Sequence, residues 1–231
     1  MESKVITRNK IKMKNGEDMY NKEWQEYIEL AKERPELFKD SDRLRIITDY
    51  EIVKQFERDT GKKIGVVYRS IYNLLVVDLV ENIKGCQFAY ERLIPAVKKG
   101  AVVSIPIYEG KFVLLKQYRH AMREFQYAFP RGFWEKDLSA EENLQKEIKQ
   151  EIGADVWKIS RVGTVIADSG IGSNEVEIFV CNITAPQLKL YYEGIEEIKL
   201  LTEKELMKWI AEGKITDGFT LSGYALYKSL L

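Results

Sequence analysis

The sequence predicts a mixed α+β fold: a helical and β-strand segment over residues 1–95, then a sheet with helices packed on it over residues 96–231. Three observations carry this expectation. Apolar residues repeat at helical spacing in two early stretches, and the period switches to that of strands from Ile64 onward. A capped, amphipathic helix at residues 139–152 then interrupts a second run of strands.

Element by element, Trp24, Tyr27, Ile28 and Ala31 share one face of a helix over Asn21–Arg34, which Pro35 ends. Ile52, Val53 and Phe56 do the same for a shorter helix over Tyr50–Arg58, stopped by Gly61. Ile64–Tyr68, Leu74–Val80 and Gln87–Leu93 read as short strands between turn or polar residues. After a break at Pro95–Gly100, Ala101–Tyr108 and Lys111–Tyr118 flank Glu109-Gly110, a tight hairpin. A loop is expected through Gly132, followed by the helix at 139–152 and strands near Val162–Ala167 and Glu175–Ile183. A strand near Glu197–Leu201 precedes a helix over Glu203–Ala211 capped by Gly213, and Thr220–Leu231 reads as a closing helix. Residues 1–20 are expected to be loosely ordered.

Composition excludes several function classes. Lys+Arg and Asp+Glu both number 36, so the chain lacks the basic excess of an electrostatic nucleic-acid binder. Its basic residues are interleaved with acids or apolar residues, as in Lys32-Glu33-Arg34, which marks solvated faces. The single histidine, His120, excludes His-rich zinc sites and reads as a surface residue after a strand. Cys86 and Cys181 each sit in an apolar run and are expected to be buried, reduced thiols. Neither a signal-peptide core near the N-terminus nor an apolar run of membrane-spanning length is present, so a cytoplasmic protein is expected. The chemistry left to such a chain is carboxylate chemistry.

The informative segment runs from Gly132 to Gly153. Ser139 and Glu142 form a capping-box pattern, Leu144, Ile148 and Ile152 give a buried stripe, and Gly153 stops the helix. Glu147 and Glu151 project along the edge of that stripe, one turn apart. Two such carboxylates repel in an isolated helix, and a divalent cation between them reverses that sign with oxygen ligands suited to Mg²⁺ or Mn²⁺. The bland alternative is a solvated face with Glu142 and Lys146 as an ordinary ion pair.

The whole segment resembles the Nudix signature, G-x5-E-x7-R-E-U-x-E-E-x-G-U with U aliphatic: Gly132, Glu147, Ile148, Glu151 and Gly153 match without a gap. Phe129-Pro130-Arg131-Gly132-Phe133, the strand ending Gln117-Tyr118-Arg119, and the downstream Gly194-Ile195-Glu196-Glu197-Ile198 and Gly213-Lys214-Ile215-Thr216-Asp217 are similar to the ADP-ribose pyrophosphatase branch. There are departures. Leu138 replaces the first Glu, Lys146 the Arg, Gln150 the first of the paired glutamates, and Ala128 an acid often found before the Pro. Leu138 and Lys146 together look like a loop-to-helix brace lost as a unit, with Glu135 and Asp137 nearby but out of register.

The resemblance implies a Nudix fold, a mixed sheet sandwiched between helices, with an N-terminal helical and β extension that helps form a homodimer. It implies Mg²⁺- or Mn²⁺-dependent hydrolysis of a nucleoside diphosphate linked to another moiety, with ADP-ribose or a nucleotide sugar as first guess. Glu147, Glu151 and the backbone carbonyl of Arg131 would hold the metal, and Arg119 would contact a substrate phosphate. Glu196, on the loop that supplies the base in this branch, is the candidate general base, with Glu197 and Glu175 as rivals. The alternative is a catalytically weak or inactive Nudix domain that binds a nucleotide or a protein. Nucleic-acid and membrane partners are not expected.

Overall fold

The computed structural model describes residues 21–97, 100–135, 137–188 and 194–230. The expectation of loose order at residues 1–20 lies outside the described residues. The chain divides into two compact units, one holding the residues up to Arg69 with Leu74–Arg92, the other Ser70–Asn73 with the residues from Leu93.

The first unit has helix α1 (Lys22–Glu33), a 3-10 turn Pro35–Phe38, strand β1 (Leu44–Ile46), helix α2 (Tyr50–Thr60) and strands β2 (Gly65–Arg69), β3 (Asn73–Asn82) and β4 (Gln87–Pro95). Asn21 and Asp49 cap the two helices with side-chain acceptors, which is why each begins there. Strands run in the order β1-β3-β2, with β4 also on β3. Trp24, Tyr27, Val53, Ile64, Leu74, Val76 and Leu79 form the buried interior.

The second unit is built on a seven-stranded sheet. Its strands are β5 (Ala101–Tyr108), β6 (Lys111–Arg119), β7 (Glu124–Ala128), β8 (Arg131–Phe133), β9 (Val156–Ile166), β10 (Glu175–Ile183) and β11 (Ile195–Leu201). Helix α3 (Ala140–Glu151) precedes β9, and helices α4 (Glu203–Ala211) and α5 (Gly218–Ser229) follow β11. The order is β11-β6-β5-β10-β9, with β5 and β10 parallel and the other pairs antiparallel. Glu109 and Gly110, both at positive φ (48° and 74°), close the β5–β6 hairpin as expected.

Alternation along the strands sends side chains to two cores. Val102, Val113, Leu115, Phe179 and Cys181 pack with Leu144, Ile148 and Ile152 of α3 on one face. Val103, Phe112, Leu114, Val176 and Ile178 pack with Leu206 of α4 and Tyr224 of α5 on the other. The result is the mixed sheet between helices that the resemblance implies.

Several expectations need correction. The stretch read as a loop through Gly132 contains β7 and β8: β5 and β6 part beyond their hairpin, β7 pairs with β6, and β8 pairs with β5. Both are short and mix polar with apolar residues, so neither carries an apolar run. β9 starts at Val156, earlier than expected, because its first half is an edge strand facing solvent. Glu196 lies in β11, not in a loop, at a bulge between Ile195 and Glu197, while Glu197 is in the strand as expected. Cys86 is exposed in the turn between β3 and β4, where Asn82 claims the backbone; Cys181 is buried, and desolvation pushes its thiol up to about 12. His120 is exposed. Among the described residues no helix is long and apolar enough to cross a membrane.

Candidate active site

The site is built where β5 and β6 part. The chain crosses from β7 on β6 to β8 on β5 through Phe129 and Pro130, and the Pro130 carbonyl accepts from the Ser104 amide at 3.0 Å. That bond sets the phase of the β5–β8 ladder. Val103 and Arg131 therefore form a non-hydrogen-bonded pair, and the Arg131 carbonyl is directed away from β5. The same alternation puts the Arg131 side chain on the face of Val103, toward α5, and Gly132 on the face of Val102, toward α3. A methyl group at Gly132 would overlap the Glu147 carboxylate, so only glycine lets this acid lie against the strand.

Helix α3 is held to the preceding loop by three sets of contacts. Ser139 and Glu142 make the reciprocal capping box, at 3.2 and 2.8 Å. Asn143, fully buried, accepts from the Glu135 amide and donates to the Phe133 carbonyl, both at 3.1 Å. Trp134 Nε1 donates to the Leu138 carbonyl at 2.9 Å. The brace expected to be lost is remade out of register, since Lys146 Nζ meets Glu135 Oε1 at 2.5 Å. Glu142 is occupied in the cap, and Lys146 pairs with Glu135 rather than with Glu142 as the bland alternative had it. Gln150 is exposed, whereas Glu151 is buried, so the two positions of the paired glutamates face different surroundings.

A cluster of charges lies at the same end of the sheet. Arg131 Nη1 donates to Asp217 Oδ1 at 3.1 Å and its guanidinium lies over the Phe219 ring at 5.2 Å. Asp217, the N-cap of α5, accepts at Oδ2 from the Thr220 amide at 2.9 Å and hydroxyl at 2.8 Å. Thr220 Oγ1 in turn accepts from the Phe129 amide at 2.9 Å. Burial and the neighbouring Arg131 guanidinium lower the pKa of Arg119 from its usual value, an effect opposed by the Asp217 and Glu151 carboxylates. The Arg119 Nε is buried with no hydrogen-bond partner among the described residues.

The three candidate bases are placed differently. Glu196 is ion-paired to Lys116, and Glu197 accepts from the Tyr127 hydroxyl at 3.4 Å and Lys199 at 3.2 Å. Lys116 and Tyr127 are cross-strand partners on the face of α4 and α5, so both acids are tied to the face opposite α3. Glu175 starts β10, and by alternation with Val176 it shares the face of α3. Among the described residues, no group of three or more His, Cys, Asp or Glu could hold a metal ion. Sequence reasoning missed Asn143, Asp217 and Thr220. The Asp217-x-x-Thr220 spacing before an apolar run is a helix-capping signal that could have found the last two.

Comparison with known proteins bears on the family and the fold. A model described as NUDIX domain matches residues 98–216, just over half of the chain. The chain is 28% identical over 101 residues to the ADP compounds hydrolase NudE of Escherichia coli, which covers 43% of this chain and 53% of that protein. It thus spans about half the length of the curated relative it matches. A crystal structure of an ADP compounds hydrolase superposes with a TM-score of 0.62 at 19% identity, covering 72% of this chain and 90% of the other, a likeness of fold. With the domain matched over residues 98–216, from before the sheet's first strand to the residue preceding the cap of its last helix, the chain belongs to the NUDIX domain family.

Proposed function

We propose that the chain hydrolyses a nucleoside diphosphate linked to another group, with ADP-ribose or a nucleotide sugar as first substrate and Mg²⁺ or Mn²⁺ as cofactor. The observation that carries this reading is a convergence at one end of the sheet. There Glu147 lies against Gly132, and the charges of Arg131, Asp217 and Glu151 all act on the Arg119 guanidinium. The likeness to the ADP compounds hydrolase of Escherichia coli supports the same substrate class.

The donor set fits a hard divalent cation. Glu147 and Glu151 offer carboxylate oxygens and Arg131 a carbonyl directed off the ladder, and Mg²⁺ is ordinarily held by one or two carboxylates with waters and substrate phosphates. When bound, the cation neutralises charge on the diphosphate and polarises a water. The chain's own residues do the rest. Arg119 presents its planar fork to a phosphate oxygen. Glu196 is the first candidate to take the proton of the attacking water, and its carboxylate has to leave Lys116 to do so. Glu175, on the face of α3, competes for that role, and Glu197 is the third choice.

The alternative, a binding module without turnover, rests on Leu138, Lys146 and Gln150. Two of those departures weigh less once contacts are considered. Lys146 has found Glu135, and the Leu138 backbone still serves the loop by accepting from Trp134.

The deciding experiment measures phosphate-containing products from a panel of nucleoside diphosphate derivatives, with and without Mg²⁺ or Mn²⁺. Metal-dependent turnover is expected, abolished by Glu147→Gln and lowered ~10²–10⁴-fold by Glu196→Gln with affinity little changed. If Glu175→Gln carries that loss instead, the base is Glu175. Tight binding of ADP-ribose with no hydrolysis under any divalent metal would replace this reading with the binding module.

A further inference from the structure

We propose that the Arg131 side chain is a second contact for the substrate's diphosphate, held in position by Asp217. This rests on the reading of the site as one for a nucleoside diphosphate, and it gives Arg131 a role apart from its carbonyl.

Arg131 is tied down from one side only. Among the described residues its one polar partner is Asp217, through Nη1 at 3.1 Å, and one face of its guanidinium is covered by Phe219. A guanidinium has five N–H donors, so most of the fork is not used by the described residues. The side chain is 27% exposed, enough to be reached by a ligand. Arg119 stands close enough for the two guanidinium groups to act on each other as like charges, and its buried Nε lacks an acceptor among the described residues. Two cations held together, one with an orphaned donor, are costly in the free protein. An oxyanion placed between them removes both penalties together, and a diphosphate offers enough oxygens for two forks.

The holding of Arg131 is also specific. Asp217 is 8% exposed, and its second oxygen is taken by the Thr220 amide and hydroxyl. Thr220, fully buried, also accepts from the Phe129 amide. The strap that carries Arg131 and Gly132 is thus fastened to the first turn of α5 at Phe129 and again at Arg131. A carboxylate locked at both oxygens fixes where the arginine fork points. This makes Asp217 a positioning residue: it touches Arg131, and it is Arg131 that meets the phosphate.

Calorimetric titration of ADP in Mg²⁺ tests both halves, because ADP carries the diphosphate without the bond to be cleaved. Arg131→Ala is expected to weaken ADP ~10–100-fold, the range for losing a hydrogen bond to a charged group, and Arg131→Lys by less, since charge survives without the fork. Adenosine affinity should stay unchanged in both. Asp217→Asn keeps a good helix cap and should weaken ADP by roughly 3–10-fold, a fraction of the Arg131 effect. In the double variant the Asp217→Asn loss should vanish, because a positioning residue has nothing left to position. A merely structural Asp217 would instead show the same loss with or without Arg131, overturning its role. Arg131→Ala binding ADP within about twofold of wild type while Arg119→Ala does not would overturn the contact and leave the proposed function standing. Wild-type protein that binds neither ADP nor inorganic pyrophosphate would overturn the proposed function and this inference together.

Discussion

Each of the two units contains an arginine–carboxylate cluster, and the two are opposites. In the first unit Asp78, 2% exposed, accepts from the Tyr27 hydroxyl at 2.5 Å and from Arg92 through Nε and Nη2 at 2.5 and 2.9 Å. Arg92 spends a further donor on the Leu37 carbonyl at 2.7 Å, with the Phe38 ring 5.2 Å from its guanidinium. The carboxylate has three donors, and the arginine is bidentate. In the second unit Arg119 faces another arginine, and its Nε has no acceptor among the described residues. Burial alone does not separate the two clusters. Satisfaction does: a closed network holds a fold together, whereas an open one is arranged for something that arrives later.

The comparison predicts opposite responses to truncation. Asp78→Ala leaves Arg92 and Tyr27 buried without their acceptor and should cost about 3–5 kcal/mol of stability. Arg119→Ala breaks no side-chain hydrogen bond among the described residues and removes one of two like charges, so its stability cost should stay under about 1 kcal/mol. Urea denaturation of the two variants checks this; equal losses would mean that the Arg119 cluster is also structural. The closed network carries a pH signature as well. Burial, then the Asp78 charge, raises the Tyr27 hydroxyl well above the usual tyrosine value of 10.0. The unfolded chain gives up that proton near pH 10, while the folded chain keeps it. The stability it contributes is therefore fully present below pH 10 and lost as pH rises toward the folded value. A stability profile from pH 8 to 11 should fall at its alkaline end, and Tyr27→Phe should flatten that fall.

How much of this was legible in the sequence follows from the range over which each feature is set. Helix α3 was readable because its signals are local: the Ser139–Glu142 box, the Leu144, Ile148 and Ile152 stripe, and Gly153. Gly132 and Glu147 were both picked out by the motif, but their contact became visible only in the structure. What stayed hidden depends on partners distant in the chain. β7 and β8 exist because β5 and β6 part, and five- and three-residue strands of mixed polarity carry no period of their own. Asp217 meets Arg131 across 86 positions, and Thr220 meets Phe129 across 91. The bulge in β11 that ties Glu196 to Lys116 is a matter of register against β6, which no local pattern announces.

The smallest effect concerns the remade brace, and it sharpens the comparison between closed and open polar contacts. Lys146 and Glu135 meet at 2.5 Å, but their side chains are 39% and 49% exposed, so solvent screens the pair and its worth is about 0–1 kcal/mol. Asn143 makes the same loop-to-helix connection from full burial, and Asn143→Ala would leave the Glu135 amide and the Phe133 carbonyl short of a partner. The brace should therefore matter for placing the loop more than for holding the fold. Glu135→Lys sets two cations against each other beside Glu147 and should lower metal-dependent turnover several-fold while shifting the urea midpoint little. Adding Lys146→Glu restores an ion pair of reversed polarity. Recovery of turnover in that double variant means that attraction between the two positions is what counts. Turnover that stays low after the swap, with the fold intact, would show that the cation at position 146 is needed for its own charge near Glu147 and that the brace reading is wrong.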